Sequence, residues 1–106
     1  MTQVTIKENS WLAKIAAYRL KSKKVAMVVG QTIYLYNTSK EDFLRNPKWL
    51  RHEITHVKQF AQHGYLKFIL LYVMETFNKG YQYNKFEIEA RRKETDNTIL
   101  SGIELG

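Results

Sequence analysis

Residues 50–60 read LRHEITHVKQF, and this stretch decides the fold because it defines one long helix and its orientation. Two histidines, His52 and His56, stand four positions apart, and Glu53 directly follows the first. Apolar residues recur beside them at the spacing of a core-facing helical stripe. These residues are Leu50, Ile54, Val57 and Ala61. The pattern predicts an amphipathic helix that carries both histidines on the flank of its buried side.

The ends of this helix are also marked in the sequence. Asn46 can cap the first turn, and Pro47 suits the first helical position because a proline lacks the N–H that would be unpaired there. Gly64 is a typical helix terminator. We therefore predict a helix over Pro47–His63.

Histidines at positions i and i+4 lie one turn apart on a helix, so their nitrogens can bind one metal ion at roughly 2.0 to 2.1 Å. Glu53 lies about 100° further round the helix, where it can reach a water molecule on the metal and accept its proton. By composition, a chance HExxH pattern in so short a chain is expected on the order of a few times in a thousand. The pattern predicts a zinc site with His52 and His56 as ligands and Glu53 as general base.

A catalytic zinc ion needs a third protein ligand. The metzincin extension is excluded because Gln59 and Gln62 stand where it requires glycine and histidine. His63 lies roughly 10 Å along the helix from the second histidine, too far to bind the same ion, and we expect it at the surface. The remaining candidates are Glu87 and Glu89 in NKFEIEAR, which a returning helix can bring beside the histidines. The residues alone leave this choice open.

The 106 residues predict a single domain spanning residues 1–106. The absence of cysteine excludes disulfides, thiolate zinc sites and cysteine nucleophiles. The formal charge of +7 comes from scattered lysines and arginines without a long basic run, so it indicates a solvated basic surface and not a nucleic-acid-binding protein.

The longest apolar run, residues 68–74, is far below the roughly 18 residues that span a bilayer. It predicts a buried helix. The first ten residues show no secretory signal, so we expect a soluble, cytoplasmic protein without a transmembrane segment.

The other elements are predicted from spacing and turn residues. Residues 4–8 suggest a strand, and two β-branched and aromatic runs around Gly30 predict an antiparallel hairpin. A short helix is expected from TSKEDF, and two helices are expected after Gly64, the second beginning near Asn84. Together these elements predict an α+β domain: an N-terminal helix, a small antiparallel sheet, the HExxH helix and two further C-terminal helices.

The N-terminal helix is expected to begin after Ser10, a good N-cap. Its apolar residues with helical spacing are Trp11, Leu12, Ile15, Ala16 and Leu20. The stripe predicts packing on the core, and a helix lying on a membrane surface is the alternative because the polar side is basic.

Three stretches, VVGQTIYLYN, LRHEITHVKQF and NKFEIEA, resemble the small zincin domains of the gluzincin type. They are similar above all to short bacterial domains related to the metallopeptidase-like domain found with extracellular contractile injection systems. The resemblance implies a minimal zincin fold and a zinc ion on His52, His56 and Glu87, with Glu89 as the reserve ligand. It also implies hydrolysis of peptide or protein substrates, and Ala90 would leave room for close helix packing.

The resemblance further implies that the strand at residues 31–36 offers its edge to an extended peptide. Relatives often carry an acid where this chain has Arg91, and that acid orients a ligand histidine. Tyr81 and Tyr83 are candidate donors to the developing oxyanion, although tyrosines at a helix start commonly serve in packing. The alternative function is a catalytically inactive zinc-binding or protein-interaction module that keeps the zincin core.

Overall fold

The computed structural model describes residues 2–21 and 23–106, and the side chains of these residues other than Arg19 and Leu20. The strands are β1 (Thr2–Lys7), β2 (Val25–Val29), β3 (Thr32–Tyr36) and β4 (Ile103–Leu105). The helices are α1 (Trp11–Leu20), α2 (Lys40–Leu44), α3 (Pro47–His63), α4 (Tyr65–Tyr83) and α5 (Lys85–Arg92), with a 3₁₀ turn at Lys93–Thr95. In the described residues the chain is thus a compact α+β domain with five helices and one four-stranded sheet, which confirms the predicted class.

The sheet has the strand order β2-β3-β1-β4. The predicted hairpin of β2 and β3 is confirmed, with Gly30 in its turn at a φ of 63°. The sheet as a whole is mixed and not antiparallel, because β1 runs parallel to both β3 and β4. The three-residue strand β4 was not predicted.

This strand order corrects the expectation for the free edge of the sheet. The strand at residues 31–36 is internal, because β3 pairs with β2 on one side and with β1 on the other. The edge near the HExxH helix is β2, which pairs only with β3 among the described strands. Sequence alone predicted the hairpin but not that β1 would cover its second strand.

The core lies between the sheet and the helix α3. Ile33 and Leu35 point from β3 toward Ile54 and Val57. Tyr34 and Tyr36 of the same strand face α1. Full burial of each such aliphatic side chain contributes about 1.5 to 3 kcal/mol. This packing sets the rotation of α3 and therefore the direction of its histidines.

The helix α3 has the predicted bounds. The Asn46 side chain accepts a hydrogen bond from the Trp49 N–H, and Gly64 ends the helix at a φ of 87°. Of the predicted apolar stripe, Leu50, Ile54 and Val57 are buried, but Ala61 is exposed. The last turn packs instead through Phe60, which contacts aromatic residues of α4 and α5.

The predicted core face of α1 is wrong. The buried residues are Ala13 and Ala17, which pack on the sheet, whereas Trp11, Leu12 and Ile15 are exposed. Small side chains allow the helix to lie close to the strands, so its large apolar residues point outward. The side chain of Leu20, the last residue of the predicted stripe, lies outside the described residues.

Residues 68–74 were predicted to form a buried helix. They are helical, but most of them are not buried. Phe68 is buried against Phe60 and Phe86, and the rest of the run is half-buried or exposed. A continuous apolar run does not tell how many sides of a helix are covered. Here α4 packs on α3 and α5 with one side only.

Candidate metal centre

His52, His56 and Glu87 lie together, as predicted. The Nε2 atom of His52 is 2.9 Å from Glu87 Oε1, and the Nε2 atom of His56 is 3.2 Å from Glu87 Oε2. One ligand atom from each of the three residues lies within 4.8 Å of the other two. Neighbouring ligands of a tetrahedral zinc ion are about 3.3 Å apart, since each is about 2.0 Å from the metal. The group could therefore hold a metal ion.

Asn84 determines where Glu87 lies. The Asn84 side-chain oxygen caps α5 by accepting hydrogen bonds from the N–H groups of Phe86 and Glu87, at 2.8 and 3.4 Å. Its amide donates to the Tyr72 carbonyl and the Thr76 hydroxyl of α4. Because Asn84 is fully buried, this cap fixes the start of α5 against α4. Glu87, in the first turn of α5, is thereby aimed at α3.

Glu94 holds the second nitrogen of His52. The distance from His52 Nδ1 to Glu94 Oε2 is 2.8 Å. Arg91 does not contact either histidine and donates a hydrogen bond to the Gln82 carbonyl. Glu94 was missed in the sequence because it lies in the 3₁₀ turn after α5, where α-helical spacing does not apply.

Gln59 holds the second nitrogen of His56. The Gln59 amide donates to the Phe86 carbonyl at 3.1 Å and to Glu89 Oε1 at 2.7 Å, which uses both of its hydrogens. Its oxygen must therefore accept the remaining bond, from His56 Nδ1 at 2.8 Å. This arrangement leaves the Nε2 atom of His56 facing Glu87. Glu89 thus contacts Gln59 and is not part of the group that could hold a metal ion.

The ionisation of this group reflects its close packing. Burial alone lowers the pKa of His52, but hydrogen bonds and charge from Glu87, Glu53 and Glu94 raise the pKa to about 9. The pKa of His56 is also raised, against the effect of burial, by Glu87 and Glu53. Burial raises the pKa of Glu87, yet the two histidines outweigh it and hold the pKa well below its usual range. The carboxylate of Glu87 therefore favours positive charge on both histidines.

Glu53 is buried beside the ligand group with an exposed fraction of 6%. Burial raises the pKa of its carboxyl to about 7, and the nearby His56 and His52 oppose this rise. A carboxyl group with a pKa near neutrality can both accept and release a proton under ordinary conditions.

Two tyrosines approach Glu87. The Tyr72 hydroxyl donates a hydrogen bond to Glu87 Oε2 at 2.5 Å, and burial together with this carboxylate raises the pKa of Tyr72 far above its usual value. Tyr81 lines the same cavity, and burial with the charge of Glu87 raises its pKa to about 12. Tyr83 is 72% exposed and does not line the cavity. Of the two predicted oxyanion donors, only Tyr81 is therefore in reach of the site.

His63 was expected at the surface, but it does not lie free there. It is half-buried, and its ring stacks on Phe68 with 6.0 Å between the ring centroids. It also meets the edge of Phe86 at 5.6 Å. His63 therefore belongs to the aromatic packing between α3, α4 and α5.

The ligand group opens into a cavity of about 370 Å³. The edge strand β2 runs along this cavity from Val25 to Val29, with Ala16 of α1 and Ile69 and Val73 of α4 on its walls. His52, His56, Glu53 and Glu87 all line it. The cavity is thus an apolar groove along a free strand edge, with the ionisable residues on one side.

Comparison of the chain with models of protein families, with curated proteins and with solved structures finds no match in any of the three. In the parts of the chain that the structure describes, no helix combines the length and apolar character needed to cross a bilayer.

Proposed function

We propose that the chain is a zinc-dependent metallopeptidase with a small gluzincin-type site on His52, His56 and Glu87. The observation that carries this proposal is the fixed direction of the two histidines. Each has its Nδ1 atom bound by another side chain, and each turns its Nε2 atom toward one buried carboxylate. A carboxylate or amide that holds the outer nitrogen of a ligand histidine is typical of metal sites.

The donor set fits zinc, which favours histidine nitrogens and a carboxylate oxygen. A bound zinc ion would supply a water of lowered pKa and would polarise the carbonyl of the scissile bond. The residues of the chain do the rest. Glu53, with a pKa of about 7, accepts the proton of the attacking water and passes it to the leaving amine. Tyr81 donates to the carbonyl oxygen as negative charge develops there.

The groove supports an extended peptide as substrate. An unpaired strand edge has free backbone N–H and C=O groups, and a peptide that pairs with such an edge adds one strand to the sheet. In this chain that edge is β2, and the apolar walls would receive the side chains of the peptide. The peptide would then cross the group formed by Glu53 and the metal ligands.

The second candidate function is a catalytically inactive zinc-binding or protein-interaction module. The observation that favours it is the large exposed apolar surface of α1 and α4, which is unusual for a free monomeric domain. The peptidase and a zinc-binding module both require zinc on the same residues and differ in whether Glu53 has a chemical role. A protein-interaction module requires neither.

The test combines metal content with cleavage of a peptide library. We expect about one zinc per chain in the native protein and in Glu53→Gln, but cleavage by the native protein only. His56→Ala should lose both zinc and cleavage. Glu89→Ala is the matched control for Glu87→Ala, which alone should lose most of its zinc affinity.

Each outcome decides between the candidates. Zinc without cleavage in any variant would favour the inactive module. Cleavage that survives Glu53→Gln would contradict the mechanism. No bound metal after zinc is supplied would contradict the peptidase and the zinc-binding module and would leave the protein-interaction module. A greater loss of zinc in Glu89→Ala than in Glu87→Ala would assign the third ligand to Glu89 instead of Glu87.

A further inference from the structure

The outward side of α4 carries a continuous row of large apolar side chains, which we name the α4 stripe. Its members are Leu66, Leu70, Val73, Met74 and Phe77. Each member stands three or four residues from another member, and all five therefore lie on one side of the helix. Leu66 is 78% exposed and Phe77 is 90% exposed. The row is therefore a surface feature and not part of the core.

The packing of α4 does not account for the stripe. The helix contacts α3 and α5 through Phe68 and Tyr72, which lie on a different side. Val73 belongs both to the stripe and to the wall of the groove. On the other wall, α1 exposes a second apolar set, with Trp11 at 69% and Tyr18 at 87%. The groove thus has exposed apolar helices on both sides.

The charged residues of these helices are mostly basic. Of the ten acidic residues in the chain, Glu75 is the only one within the ranges of α1, β2 and α4. The Glu75 carboxylate already contacts the Lys79 ammonium at 3.5 Å and the Lys85 N–H at 3.0 Å. Lys67 lies beside the stripe, three residues before Leu70. This side of the molecule is therefore apolar and basic, in a chain with a formal charge of +7.

This charge distribution distinguishes between partners. A second copy of the chain would place two basic surfaces against each other, and neither stripe offers an acid to pair with the lysines. The surface of an anionic phospholipid bilayer supplies both an apolar interior and negative headgroups. Aromatic residues such as Trp11 and Tyr18 also favour the boundary between lipid and water.

We propose that the α4 stripe binds the surface of an anionic phospholipid bilayer, with α4 lying in the plane of the membrane. The straight part of α4 before the kink at Gly80 is about 22 Å long, at 1.5 Å per residue, too short to cross the hydrocarbon core. An interfacial helix instead buries its apolar side at the headgroup boundary. This proposal does not depend on the metal or on peptidase activity.

The test is co-sedimentation of the full chain with vesicles of phosphatidylcholine alone and of an equimolar mixture of phosphatidylcholine and phosphatidylglycerol. We expect stronger binding to the anionic vesicles. The double change Leu70→Gln and Phe77→Gln should lower the partition coefficient at least about tenfold, because each side chain loses its transfer into lipid. Both residues are largely exposed, so the fold and the melting temperature should not change.

Two further variants serve as controls. Ile88→Gln changes an exposed apolar residue of α5 outside the stripe and should leave binding unchanged. Lys67→Glu should weaken binding to the anionic vesicles and have little effect with phosphatidylcholine alone.

Three results would overturn the proposal. The first is no binding to either kind of vesicle. The second is equal binding by the native chain and the double variant, which would mean that the general positive charge, and not the stripe, causes the binding. The third is a native dimer, detected by sedimentation equilibrium, that the double variant dissociates while vesicle binding is absent, which would assign the stripe to a second copy of the chain.

Discussion

Replacing Glu53 with glutamine should stabilise the metal-free protein above pH 7. The pKa of the buried carboxyl rises from an ordinary 4.5 to about 7 in the folded chain. Between these two values the folded state keeps a proton that the unfolded state releases, so stability falls as the pH rises through this window. One pKa unit corresponds to about 1.4 kcal/mol, so the loss reaches about 3 kcal/mol at pH 8. Glutamine has no charge to bury and does not suffer this loss.

Urea unfolding in the presence of a chelator measures this difference directly. We expect Glu53→Gln and the native protein to have nearly equal free energies of unfolding at pH 4.5, and the variant to be more stable at pH 8. Glu104→Gln, at an exposed glutamate of β4, should change stability at neither pH. The assignment of Glu53 as a carboxyl whose charged form is destabilised by burial would be refuted by either of two results. The first is no increase in the free energy of unfolding of Glu53→Gln at pH 8, and the second is an equally large increase at pH 4.5.

Three more predictions concern the ligand group and the core. Glu94→Gln should weaken zinc binding by about 10- to 100-fold in a chelator competition assay, because the neutral amide orients His52 less strongly. Zinc affinity should rise with pH up to about 9, since the proton on His52 must leave before the metal binds, and calorimetry in two buffers should detect its release. Ile54→Ala should cost about 2 to 5 kcal/mol in urea unfolding, because Ile54 is fully buried.

These predictions have matched controls. For zinc binding, Glu104→Gln should leave the affinity unchanged, and an equal loss in both variants would contradict the role of Glu94. A zinc affinity independent of pH between 6 and 9 would mean that His52 holds no proton in the metal-free protein. For the core, Ala61→Ser should have an effect within about 0.5 kcal/mol, because Ala61 is exposed.

The sequence predicted those parts of the fold that have local causes. The bounds of α3 follow from the cap at Asn46, the proline after it and the glycine at its end, all within the helix itself. The hairpin was likewise predicted from two strands and the turn between them. The strand β4 has only three residues and exists because β1 lies beside it, so no local pattern marks it.

The candidate site was predicted in the same uneven way. The spacing of His52 and His56 is local and was read directly, whereas the choice between Glu87 and Glu89 depended on a resemblance. The burial of α4 depends on which neighbours cover it, and its sequence does not carry that information. The contact of Glu94 with His52 depends on the 3₁₀ turn after α5, so the sequence could not predict this contact.

The pairing of β1 with β4 has a consequence for the order of folding. Thr2 lies opposite Ile103, so β1 pairs with a strand that lies far along the chain. Contacts so far apart in sequence are slow to form because a long loop must close. A nascent chain that still lacks residues 103–105 leaves one side of β1 without hydrogen-bond partners, and such an edge is prone to aggregate. The sheet is completed only when residues 103–105 pair with β1.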